Sequence, residues 1–173
     1  MSDPRTVGAL LRPLLGRRLL AVTEARHWFG EQPVMGIDAL LHLWLHFETA
    51  PAIMAHGCGE LLKLTEDKPY SSYDMQEDGR AVVGPVQPTD LLGDVVGQCL
   101  VDVGLIQGYS TIPAVGGLQL RFERTELLVA TLADEWVCQQ GPIPDGLRQY
   151  LSFIGWLSTP RLLPKGSDAG SLL

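Results

Sequence analysis

His42, His46, His56 and Cys58 fall within one seventeen-residue window and offer the nitrogen and sulfur donors that zinc prefers. Their setting argues against a shared ion. Leu41, Leu43, Leu45 and Phe47 alternate with His42, Trp44, His46 and Glu48, the period of a strand with one face in a core. Same-face residues four apart on a strand stand about 13 Å apart, whereas zinc ligands lie about 2 Å from the ion. No metal site is therefore assigned, and the histidines read as partly buried or surface residues of a sheet face.

His56 and Cys58 as a base and thiol lack an orienting third group, and the flanking Gly57 and Gly59 mark a tight turn. Asp134 and Glu135, just ahead of Trp136, read as a surface turn leading into a strand, not as a carboxylate pair. The chain has no G-x-S-x-G, P-loop or H-E-x-x-H. No catalytic residue and no cofactor is assigned.

The segment from Tyr70 to Gly79 is the stronger candidate for function. Tyr70 and Tyr73 are aromatic anchors, and Asp74, Glu77 and Asp78 are steering charges, the combination a protein interface uses. Net charge is −7, with eight acidic against three basic groups over residues 60–94 and five Arg against two acidic groups over residues 1–26. Without a concentrated basic surface the chain is not expected to bind nucleic acid, and the acidic stretch points to a basic protein partner. No apolar run approaches the roughly 18 residues of a spanning helix, so no membrane role is expected. Three Cys without C-x-x-C spacing, with nothing resembling a secretory signal upstream, predict reduced thiols and a cytoplasmic protein.

The elements that carry these residues occur twice. Residues 7–22 match 88–103 at Leu10/Leu91, Leu11/Leu92, Gly16/Gly97, Leu19/Leu100 and Val22/Val103. Residues 38–63 match 113–138 at Ala39/Ala114, Leu43/Leu118, Leu45/Leu120, Phe47/Phe122, Glu48/Glu123, Ala55/Ala130 and Glu60/Glu135. Most of these identities are apolar residues or glycines, so the repeat speaks to architecture and not to chemistry. The predicted fold is α+β, an internally duplicated unit of one short helix plus a four-stranded antiparallel meander, with a C-terminal capping helix. Its predicted parts are a first unit over 1–65, an acidic linker over 66–87, a second unit over 88–141, a closing helix over 142–160 and a flexible tail over 161–173. Gly16 and Gly97 are expected to end the two helices in the left-handed conformation.

The L-x-L-x-F-E strand ending at Glu48, the Tyr73-Asp74-Met75 loop and Asp134-Glu135-Trp136-Val137 resemble segments of small bacterial proteins of unassigned function, some of them immunity proteins of polymorphic toxin systems. The resemblance spans residues 10–140 and assigns no functional residue. It implies a non-enzymatic binding module that masks a basic toxin through the acidic segment. Two other readings stand beside it: a small-molecule or metal-binding protein using the sheet face with His42, Trp44 and His46, and a homodimeric structural module joined through sheet edges.

Overall fold

Asp3 opens the first element by accepting the backbone N–H of Thr6 at 2.8 Å, and Pro4 sits where a helix needs no donor. The computed structural model describes residues 2–34, 36–87 and 90–159 of the chain. Helix α1 (Pro4–Leu11) buries Val7 and Leu11 and runs into a 3-10 turn at Arg12–Leu14. Seven strands follow: β1 (Leu19–Phe29), β2 (Gln32–Pro33), β3 (Leu40–Phe47), β4 (Ile53–Cys58), β5 (Leu61–Glu66), β6 (Tyr73–Asp74) and β7 (Arg80–Pro85). The second part holds β8 (Leu100–Gln107), β9 (Val115–Phe122), β10 (Glu126–Leu132), β11 (Glu135–Gln140) and β12 (Ser152–Trp156).

These strands form two antiparallel sheets, ordered β5-β4-β3-β1-β7-β6 with β2 on β1, and β11-β10-β9-β8-β12. One buried apolar cluster takes Leu43, Leu45 and Phe47 from β3 and Leu118, Leu120 and Phe122 from β9, so the two sheets enclose a common core. Both predicted meanders are present as β1-β3-β4-β5 and β8-β9-β10-β11.

The registers of the two sheets coincide. Val22 faces Leu45 and Thr23 faces Trp44 in the first, while Val103 faces Leu120 and Gly104 faces Gln119 in the second. Even the irregularity between Leu19 and Ala21 recurs between Leu100 and Asp102. After the next turn the match shifts by one residue, because the connection into β10 is one residue shorter. Leu45 pairs with Ile53 and Leu120 with Leu127, which puts Ala55 at the place of Val129 and Glu60 at the place of Asp134. The identities Ala55/Ala130 and Glu60/Glu135 in the sequence are therefore one residue out of structural step.

Backbone bonds join the halves reciprocally. Gly16 N donates to Leu100 O at 2.7 Å and Gly97 N to Leu19 O at 2.8 Å, while Leu19 N donates to Gln98 O and Leu100 N to Arg17 O, both at 2.9 Å. Gly16 and Gly97 take φ of +81° and +87°, the left-handed turn that aims these amides across the junction. At the far end, Gly59 N donates to the Asp134 carboxylate and Ala133 N to Glu60 Oε1.

Three expectations need correction. Residues 91–96 form successive turns instead of a helix, with Gly93 N bonded to Asp90 O and Val96 N to Gly93 O, i→i+3 bonds that close separate turns without building an α-helical ladder. Residues 66–87 are built into the first sheet as β6 and β7, so each meander gains a further strand beside its first. The closing helix predicted over 142–160 is replaced, in the described residues to 159, by a 3-10 turn at Asp145–Leu147 and β12. Its apolar residues serve two faces: Ile143, Leu147 and Leu151 cover the outer side of the second sheet, whereas Ile154 and Leu157 join the inter-sheet core. Pro142, Pro144, Gly146 and Gly155 punctuate the segment so that it can change face. The tail over 161–173 lies outside the described residues.

Candidate functional site

The alternation of β3 sends Leu43, Leu45 and Phe47 into the core and leaves His42, Trp44 and His46 on the outer face, with His56 of β4 beside His42. That face is not open. The chain leaving β5 is held by the bond from Asp67 N to Ala52 O, crosses the sheet, and joins its other side where β6 pairs with β7. Midway, Tyr70 lays its ring edge-on to Trp44 at 5.0 Å and to His42 at 5.4 Å, and its hydroxyl meets His42 Nδ1 at 2.5 Å. Trp44 is fully buried in consequence. The histidine face and the tyrosine segment, separate candidates in the sequence, are one assembly.

Burial governs the titration of this assembly. It pushes the Tyr70 hydroxyl up to about 12, aided by Tyr73, and holds His42 below its ordinary value, aided by the nearby His56. Burial also lowers His46 and His56, the latter with help from Lys63. His46 Nε2 lies 2.9 Å from Thr23 Oγ1, committed to a hydroxyl on β1. Among the described residues no three His, Cys, Asp or Glu side chains are grouped to hold a metal ion.

A stability prediction follows from the three lowered histidines. Below the ordinary value of 6.5 the unfolded chain takes up protons that the folded chain resists, so stability present above that pH is lost as the pH falls through and below it. The urea midpoint is expected to be lower at pH 5.5 than at pH 7.5, and His42→Gln with His56→Gln to narrow the gap. Equal midpoints in the wild type would show that the face is open to water.

Of the residues assigned to partner binding, the structure separates one from the rest. Tyr70 points inward and anchors the crossing segment. Tyr73, Asp74, Glu77 and Asp78 remain at the surface, Tyr73 with 47% exposure. Their hairpin is rigidly tied. Asp74 Oδ1 accepts Gln76 N at 2.7 Å, Met75 N donates to Gly79 O at 2.8 Å, and the His27 ring bonds Asp78 O. Gly79 has φ of +94°, and a Cβ there would strike the Trp28 carbonyl, so the hairpin seats directly on the end of β1.

That seat brings in residues the sequence reading passed over. Arg80 lies 5.1 Å over the Trp28 ring, and Phe29 is 67% exposed beside it. Trp28, Tyr73, Asp74, Gln76 and Arg80 line a cleft of about 620 Å³. The signal for Trp28 was the continuation of β1 beyond Ala25, where Arg26 to Phe29 still supply strand-forming side chains. No protein-family model matches the chain, and no curated protein or solved structure matches it either.

Proposed function

We propose that this protein is a non-enzymatic binding module that receives a basic protein at the β6–β7 edge of its first sheet, in the manner of an immunity protein that masks a toxin. The observation that carries the reading is a fixed hairpin that presents Tyr73 with Asp74, Glu77 and Asp78 and is seated on the end of β1, the strand whose last residue is the exposed Phe29. Exposed aromatic groups supply contact area, and carboxylates around them steer and orient a cationic partner. Cross-bracing by Gly79, His27 and Tyr70 favours tight binding because little conformational freedom remains to be lost. We read the two sheets, with matching order, register and reciprocal bonds, as an internal duplication that gives the hairpin a stiff base.

Affinity capture from the source cells tests this reading, with the wild type and the Asp74→Asn, Glu77→Gln, Asp78→Asn variant as parallel baits. A basic protein should be retained by the wild type and lost with rising salt. The variant should bind the purified partner on the order of tenfold more weakly at low ionic strength. Retention that neither the substitutions nor salt alters would remove the surface from consideration.

A further inference from the structure

The inner rows of the two sheets are equivalent position by position, yet one charged group interrupts them. In the first sheet Leu64, Ala55, Leu43, Glu24 and Gly84 lie side by side across five strands; in the second the same row reads Cys138, Val129, Leu118, Leu105 and Gly155. Glu24 therefore stands where its counterpart is Leu105, on the inside of the sandwich. It is 6% exposed. Arg26 Nε binds its Oε1 at 2.6 Å and is itself fixed by Nη1 donating to Gly36 O at 2.9 Å. No group among the described residues donates to the buried Oε2.

A buried carboxylate has room for about four hydrogen bonds and is costly to leave short of donors. Glu24 also lines a cleft of about 660 Å³ whose walls include Trp28, Ile37, Val86, Leu91 and Cys138. Burial pushes the Cys138 thiol up to about 12, so it stays protonated and serves as a weakly polar wall instead of a nucleophile. Asp90 stands at the same cleft, and Glu24 with Asp90 against Arg26 leaves one net negative charge. The cleft thus joins an apolar interior to an acceptor that lacks a donor.

We infer that this cleft binds a small apolar molecule bearing a primary ammonium group, its nitrogen donating to Glu24 Oε2 and its hydrocarbon body lying against Ile37, Val86 and Leu91. Concave, mainly apolar sites with one or two placed polar groups are the usual form of small-ligand pockets. The ammonium supplies the donor that Arg26 does not, and Arg26, bonded to Oε1, holds the carboxylate in place. A carboxylate or phosphate ligand would meet Glu24 and Asp90 and is disfavoured. The inference does not rest on the edge hairpin, although Trp28 lines both clefts.

Calorimetric titration of the full chain with n-hexylamine, 1-hexanol and hexanoate tests the inference at constant chain length. Hexylamine should bind saturably and at least tenfold more tightly than hexanol, and hexanoate should not bind. The variant Glu24→Leu with Arg26→Gln installs the residues of the equivalent positions, Leu105 and Gln107, and should fold with a raised Tm while losing the preference for amine. Glu24→Gln, which keeps shape and removes charge, should lose that preference too. Equal binding of hexylamine and hexanol, no saturable binding of hexylamine, or amine preference surviving in either variant would overturn the proposal.

Discussion

Trp44→Ala is expected to cost about 3–5 kcal/mol of folding stability, a large share of the roughly 5–15 kcal/mol that holds a domain together. The indole is fully enclosed between its own sheet and the crossing segment, so its removal leaves a cavity beneath Tyr70. Loss of that support should free the segment as well. Denaturant midpoints would register the first effect, and faster chymotryptic cleavage after Tyr70 the second. The indole Nε1 has no bond partner among the described residues, so Trp44→Phe should cost less than its lost volume suggests, the unpaired donor leaving with it. A Trp44→Ala variant within about 1 kcal/mol of the wild type would mean that the crossing segment does not cover the face.

Gly116→Val is expected to exceed about 3 kcal/mol and to prevent folding in many conditions. At the start of β9 a Cβ on Gly116 would stand 2.5 Å from Gly108 Cα and 2.8 Å from the Glu60 carbonyl oxygen. Those neighbours are backbone, and no rotamer change relieves them. A Cβ on Gly108 would strike the same Glu60 carbonyl, so three chain segments meet where only hydrogen atoms fit. Gly84→Ala is the control: nothing lies within 4 Å of its added Cβ, and its stability should remain within about 0.5 kcal/mol of the wild type. Thermal melts of both variants decide the matter, and a folded Gly116→Val protein with unchanged Tm would refute the close approach.

The strands in which apolar residues alternate with others were legible in the sequence. Leu43, Leu45 and Phe47, and their counterparts Leu118, Leu120 and Phe122, mark β3 and β9 without ambiguity because a one-residue slip would turn each row to the wrong face. Residues 80–85 were hidden: β7 is edged by glycine and proline, and its strand character comes from pairing with β1 and not from its own composition. The stripe from Leu147 to Leu157 misled for a related reason, since helical spacing also describes residues shared between two faces of a sheet. At the candidate site, the surface position of Asp74, Glu77 and Asp78 follows from their charge. That Tyr70 turns inward onto Trp44, and that Glu24 meets an apolar row, depend on which strands become neighbours, and no local pattern records that.

The reciprocal bonds at Gly16 and Gly97 are those that two identical subunits make across a rotation axis. In such a pair every substitution arrives twice, so a carboxylate set into one inner row would bring its double into the other and charge both ends of the core. A single chain carrying both halves is released from that rule. Glu24 can change the chemistry at one end while Leu105 keeps the other apolar, and a change in one sheet need not be repeated in the other.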